Sequence, residues 1–89
     1  MSKEPFGDKK LDFPLVCQYR IIAENREGIH FVIETVLLEM GVTAPLHPGN
    51  QSGGGRYQSF HVEVRVESLD QMNKIDSALR NIVGVKMVL

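Results

Sequence analysis

From Leu15 to Glu24 the chain reads LVCQYRIIAE, placing Leu15, Cys17, Tyr19, Ile21 and Ala23 on one parity and Val16, Gln18, Arg20, Ile22 and Glu24 on the other. Successive side chains of a strand point to opposite faces, so this segment is predicted to be a β-strand with its odd positions on a core. The period then changes. Ile29, Val32, Ile33, Val36, Leu37 and Met40 recur at helical spacing, with Asn25 placed to cap the start and Gly41 to end the helix. The next stretch, VTAPLHPG from Val42 to Gly49, is extended but interrupted by Pro45 and Pro48, which fits a short, irregular edge strand. Phe60, Val62, Val64 and Val66 then alternate with His61, Glu63, Arg65 and Glu67, a strand with one apolar and one polar face. Ser68 with Gln71 forms a capping box for a second helix, predicted to bury Leu69, Met72, Ile75, Leu79 and Val83 and to close at Gly84. VKMVL ends the sequence as a last strand.

The order strand, helix, strand, strand, helix, strand is a pair of split βαβ units, whose right-handed crossovers put both helices on the same side of one sheet. The expected fold class is α+β: a ferredoxin-like βαββαβ sandwich, a four-stranded antiparallel sheet with two helices on one face. The first and third strands lie at its centre. The face without helices is predicted to carry Val16, Gln18, Arg20 and Ile22, the polar side chains His61, Glu63, Arg65 and Glu67, and Lys86 and Val88 from the last strand. Residues 1–12, charged and broken by Pro5 and Gly7, are expected to be a flexible leader to a single domain over 13–89.

Composition narrows the functional classes. At 89 residues, 43% hydrophobic and 24% charged, the chain has enough apolar surface for one small core. A net charge of −1 supplies no general field for nucleic acid or anionic lipid. The single cysteine, Cys17, excludes an internal disulfide and fits a reducing compartment. No apolar run approaches the ~18 residues of a membrane span, and MSKEPFGDKK lacks the hydrophobic segment of a secretory signal. The expected location is cytoplasmic, with no membrane and no nucleic-acid partner.

Three glycines in SGGGRYQS, from Ser52 to Ser59, raise the possibility of a phosphate cradle. That loop leads into a strand, however, and so lacks the amides and dipole of a helix N-terminus; a flexible hairpin loop over residues 50–56 is the better reading. Arg56 and Tyr57 are its candidate contact residues should it clamp a partner. An RNA platform is disfavoured because Tyr19 and Phe60 fall on the core parity. Metal chemistry is disfavoured because Cys17 is solitary and His30, His47 and His61 share no ligand spacing. No nucleophile, acid and base converge in the sequence, so no catalytic residues and no cofactor are assigned. Arg20, Glu63 and Arg65 read as cross-strand charges on a solvated face.

Two resemblances add to this. The segment IIAENREGIHFVIETVLLEMGV resembles the signature of the ACT domain, in which a first strand runs through Asp-Arg-Pro-Gly-Leu into a helix ending in glycine. Asn25, Arg26, Gly28 and Ile29 fall on that signature, with Asn25 in place of the aspartate and Glu27 in place of the proline. The chain from Phe13 onward also resembles the YbeD-like family of small uncharacterised bacterial proteins, through Phe13-Pro14, the Ser52 to Ser59 segment and the terminal VKMVL. The ACT resemblance implies a non-enzymatic regulatory module binding a small metabolite such as an amino acid at Asn25, Arg26, Gly28 and Ile29, Gly28 being where effectors approach the backbone. For some YbeD-like proteins a link to lipoate metabolism has been suggested. Asn25 as a plain N-cap and Gly28 as a relief of crowding stay open beside the effector site. The rival functional class is a protein–protein adaptor with no small ligand. Phe31 and Leu38 lie about 200° and 180° around the first helix from Ile29, opposite its core stripe, and are the candidate interface of a homodimer.

Overall fold

The computed structural model describes residues 12–89; the expected leader, apart from Asp12, lies outside the described residues. Six elements follow one another: β1 (Leu15–Glu24), α1 (Ile29–Glu39), β2 (His47–Ser52), β3 (Tyr57–Val66), α2 (Leu69–Arg80) and β4 (Val85–Val88). The strands form one antiparallel sheet in the order β2-β3-β1-β4, with β1 and β3 paired without a break from Leu15↔Val66 to Glu24↔Tyr57. This is the expected ferredoxin-like sandwich, both helices covering one face.

Alternation and helical period meet in a single core. Tyr19, Ile21 and Ala23 of β1, Phe60, Val62, Val64 and Val66 of β3, Ile29, Ile33 and Leu37 of α1, and Ile75 and Leu79 of α2 are all buried in it. The Tyr19 hydroxyl donates to the Met72 carbonyl at 3.1 Å, tying β1 to α2, and burial pushes this phenol up to about 12. Cys17 packs its sulfur 3.3 Å from that of Met72 and its thiol is likewise pushed up by burial.

The helix ends follow local chemistry. At the end of α1, Gly41 takes φ 81°, letting the Gly41 amide donate to Leu38 and the Val42 amide to Leu37. Val42 and Leu37 are both buried, completing a Schellman motif with its apolar contact. At the start of α2, the Ser68 hydroxyl accepts from the Gln71 amide at 3.1 Å, and the Gln71 side chain accepts from the Glu67 amide at 2.7 Å.

Several expectations are corrected. The first helix is capped by Gly28, at φ 83°, with no side-chain cap, and Asn25 is used elsewhere. The edge strand begins at His47, after the turn containing Pro45, and includes Asn50 to Ser52, so the glycine loop shrinks to a tight turn over residues 53–56. Helix α2 stops at Arg80; Ile82 enters the core, while Val83 is 75% exposed and Leu69 is also exposed. Val32 is more exposed than its place in the α1 stripe predicts. Val88 lies in the core at 2% exposure, not on the open face, because pairing of β1 with β4 shifts register between Ile22 and Ala23. The extra residue puts both Val85 and Val88 toward the core and turns Lys86 and Met87 outward.

Candidate functional site

One end of the sheet gathers three connections: the β1–α1 junction, the glycine turn between β2 and β3, and the turn before β4. Asn25 stitches the first two together. Its backbone amide donates to the Arg56 carbonyl at 2.8 Å and its side-chain amide donates to the Gly55 carbonyl at 2.9 Å. Gly53, Gly54 and Gly55 all have positive φ, at 62°, 67° and 90°, a run that only glycine adopts without strain. Arg56 sits exposed beside this turn, whereas Tyr57 is half-buried with its ring against Gly53.

Arg26 reaches across the third connection, its Cδ standing 3.6 Å from where a Cβ on Gly84 would be. Its guanidinium pairs with Glu24 at 2.9 Å, and Lys86 holds the same carboxylate at 3.1 Å. The hydrogen bond and charge of Lys86, with Arg26 adding to them, keep the Glu24 carboxyl below its ordinary range. Glu24 thus has two basic partners, one on each side. Beyond Arg26 the chain turns left-handed at Gly28, where a Cβ would meet nothing within 4 Å, and Ile29 then buries its side chain.

Arg26, Glu27 and Ile29 line one part of a groove of about 410 Å³ that also takes in residues of both helices. Val32, Val36 and Val83 are part of its apolar wall, and Val32 and Val83 are both exposed. Of the sequence-predicted ligand residues, Arg26 and Ile29 are at this groove and Gly28 lies in the chain between them. Asn25 faces the glycine turn instead. Sequence reasoning missed Val83, which it assigned to the core, and the packing of α1 against α2 is the signal that recovers it. Phe31 and Leu38, at 72% and 61% exposure, stand out from α1 as expected. Among the described residues no group of three or more His, Cys, Asp or Glu side chains is placed to hold a metal. No described helix is long and apolar enough to cross a membrane.

UPF0250 proteins from several Haemophilus influenzae strains are 25% identical over 79 residues, spanning 89% of this chain and 86% of theirs. The solution structure of protein HP0495 from Helicobacter pylori superposes with a TM-score of 0.77 at 21% identity, covering 100% of this chain and 98% of that one. The ACT domain from GTP pyrophosphokinase of Chlorobium tepidum superposes with a TM-score of 0.69 at 18% identity, covering 84% and 83%. These superpositions establish the ACT-like form of the ferredoxin-like fold. The family described as protein of unknown function (DUF493) matches residues 8–89, nearly the whole chain, and the chain belongs to that family.

Proposed function

We propose that this protein is a non-enzymatic regulatory module that binds a small metabolite, such as an amino acid, at the β1–α1 junction. The observation that carries this reading is the groove whose apolar wall begins at the Arg26–Ile29 turn. Its volume of about 410 Å³ falls within the ~300–1,000 Å³ of small-molecule sites. An apolar side chain fits against Val32, Val36 and Val83. The metabolite's carboxylate meets Arg26, released from Glu24, and the first-turn amides of α1, which carry no side-chain cap. Arg56 adds a cation on the Asn25-linked turn. The ACT-like fold supports a regulatory role, since one solved structure with this architecture is the ACT domain from GTP pyrophosphokinase, a domain that accompanies an enzyme.

Titrating a panel of amino acids and lipoate-like acids into the labelled protein is expected to shift the amides of residues 26–29 and Val83. Arg26→Gln is expected to weaken that binding by about tenfold or more, the loss of one charge-assisted contact. No shift at these residues with any member of the panel would refute the reading.

The exposed pair Phe31 and Leu38 favours a second reading, in which the outer face of α1 binds protein, first of all another copy of the chain. Sedimentation is expected to show a weak dimer that Phe31→Glu with Leu38→Glu dissociates and Val16→Glu with Ile22→Glu leaves intact. A wild type that stays monomeric at high concentration excludes the dimer, and dissociation by the sheet pair alone moves its seam to the open face.

A further inference from the structure

The sheet face turned away from the helices holds a larger concavity, of about 1020 Å³, independent of the groove between the helices. A row of three basic side chains crosses it. Arg20 of β1 is the direct cross-strand partner of His61 of β3, and His61 is the direct partner of His47 of β2. Strands lie about 4.8 Å apart, so the row spans roughly 10 Å. The two imidazoles stack with centroids 5.5 Å apart and planes inclined by 29°.

The charges around this row leave it open to an anion. Arg26, Arg65, Lys74, Arg80 and Lys86 each pair with a carboxylate, whereas Arg20, like Arg56 at the far glycine turn, has no carboxylate side chain paired with it among the described residues. On β3, Glu63 is, among the described residues, the one side-chain carboxylate lining the cavity and accepts from the Gln18 side chain at 3.2 Å, and Arg65 is paired with Glu67 at 3.5 Å. β2 brings no ionisable group besides His47, and the Ala44–Pro45 turn brings none. On the β4 side Leu89, the last residue of the sequence, lines the cavity and brings a carboxylate to it, one oxygen accepting from the Arg20 backbone amide at 3.1 Å, while no salt bridge joins it to the Arg20 guanidinium. Imidazole gains charge as pH falls from about 8 to 5, so protonation sets like charges side by side across the strands. A bound dianion relieves that repulsion. A metal ion is disfavoured by the neighbouring guanidinium. An extended nucleic acid lacks a stacking platform, because Tyr19 and Phe60 are buried on the other face.

We propose that Arg20, His61 and His47 form a binding site for the phosphate of a small phosphorylated metabolite, a site that tightens as pH falls. Sulfate tests it first because its charge stays constant over the range in which imidazole titrates; inorganic phosphate follows, with chloride holding ionic strength fixed. Saturable shifts are expected at Arg20, His47 and His61, with affinity for sulfate about tenfold higher near pH 5.5 than near pH 8, the effect of adding imidazolium charge at contact range. Arg20→Gln is expected to weaken both anions about tenfold, and His47→Gln with His61→Gln to abolish the pH dependence, while Arg65→Gln changes neither. Non-saturable shifts, or sulfate binding that survives Arg20→Gln, would overturn the proposal. So would a short single-stranded RNA that binds more tightly than phosphate and is weakened equally by Arg20→Gln and Arg65→Gln, an outcome that assigns the face to nucleic acid.

Discussion

Replacing Ile75 by alanine is expected to lower the free energy of unfolding by about 3 kcal/mol, within the range for truncating a fully buried isoleucine. Ile75 is 0% exposed and projects from the middle of α2 into the core shared with β1, β3 and α1. The lost methyl and methylene groups forfeit their transfer free energy, and a cavity term adds to it wherever the surroundings relax only in part. A chain of this size has only about 5–10 kcal/mol of total stability, so the variant should unfold at much lower urea concentration with an unchanged slope. Lys74→Ala, one residue away and exposed, should stay within about 0.5 kcal/mol of the parent. Equal effects of the two substitutions would show that α2 is not docked as described.

The second large effect is expected at Gln58, a polar side chain only 8% exposed within the core parity of β3. Its side-chain amide donates to the Gly49 carbonyl at 2.9 Å and to the Ser59 carbonyl at 2.8 Å, and its oxygen accepts from Gln51 at 3.1 Å. Register between β2 and β3 shifts between Pro48 and Gln51, so Gln58 supplies contacts where the backbone ladder is interrupted. Gln58→Met keeps the volume and removes these bonds, at an expected cost of about 2 kcal/mol for polar groups left without partners. Amide exchange should accelerate first in residues 47–52, while the β1–β3 ladder keeps its protection. Uniform loss of protection across the sheet would show instead that Gln58 supports the whole core rather than the edge strand.

Both substitutions bear on what the sequence makes readable. The alternation in β1 and β3 and the helical stripe through Ile29, Ile33 and Leu37 are legible because each element must bury one face. Gly41 and Ser68 mark helix ends because their conformational preference and capping chemistry are local. Gln58 was not legible as a core residue, since nothing near it in sequence announces that an irregular partner strand will need its hydrogen bonds. The same holds for Asn25. Its type suits an N-cap, and only the approach of the glycine turn directs its side chain to Gly55 instead.

The candidate sites divide in the same way. The sequence by itself determined the order of the elements, the two central strands, the outward display of Phe31 and Leu38, and Arg26 and Ile29 as neighbours in one turn. All of these follow from periodicity and from adjacency along the chain. Only the tertiary structure decided that Arg26 and Ile29 open onto an apolar groove with Val83, that Val88 turns inward past a shifted register, and that Arg20, His61 and His47 align across three strands. Those arrangements depend on strand register and on helix packing, which bring together residues far apart in the chain, and a one-residue shift in register moves a side chain to the opposite face of the sheet.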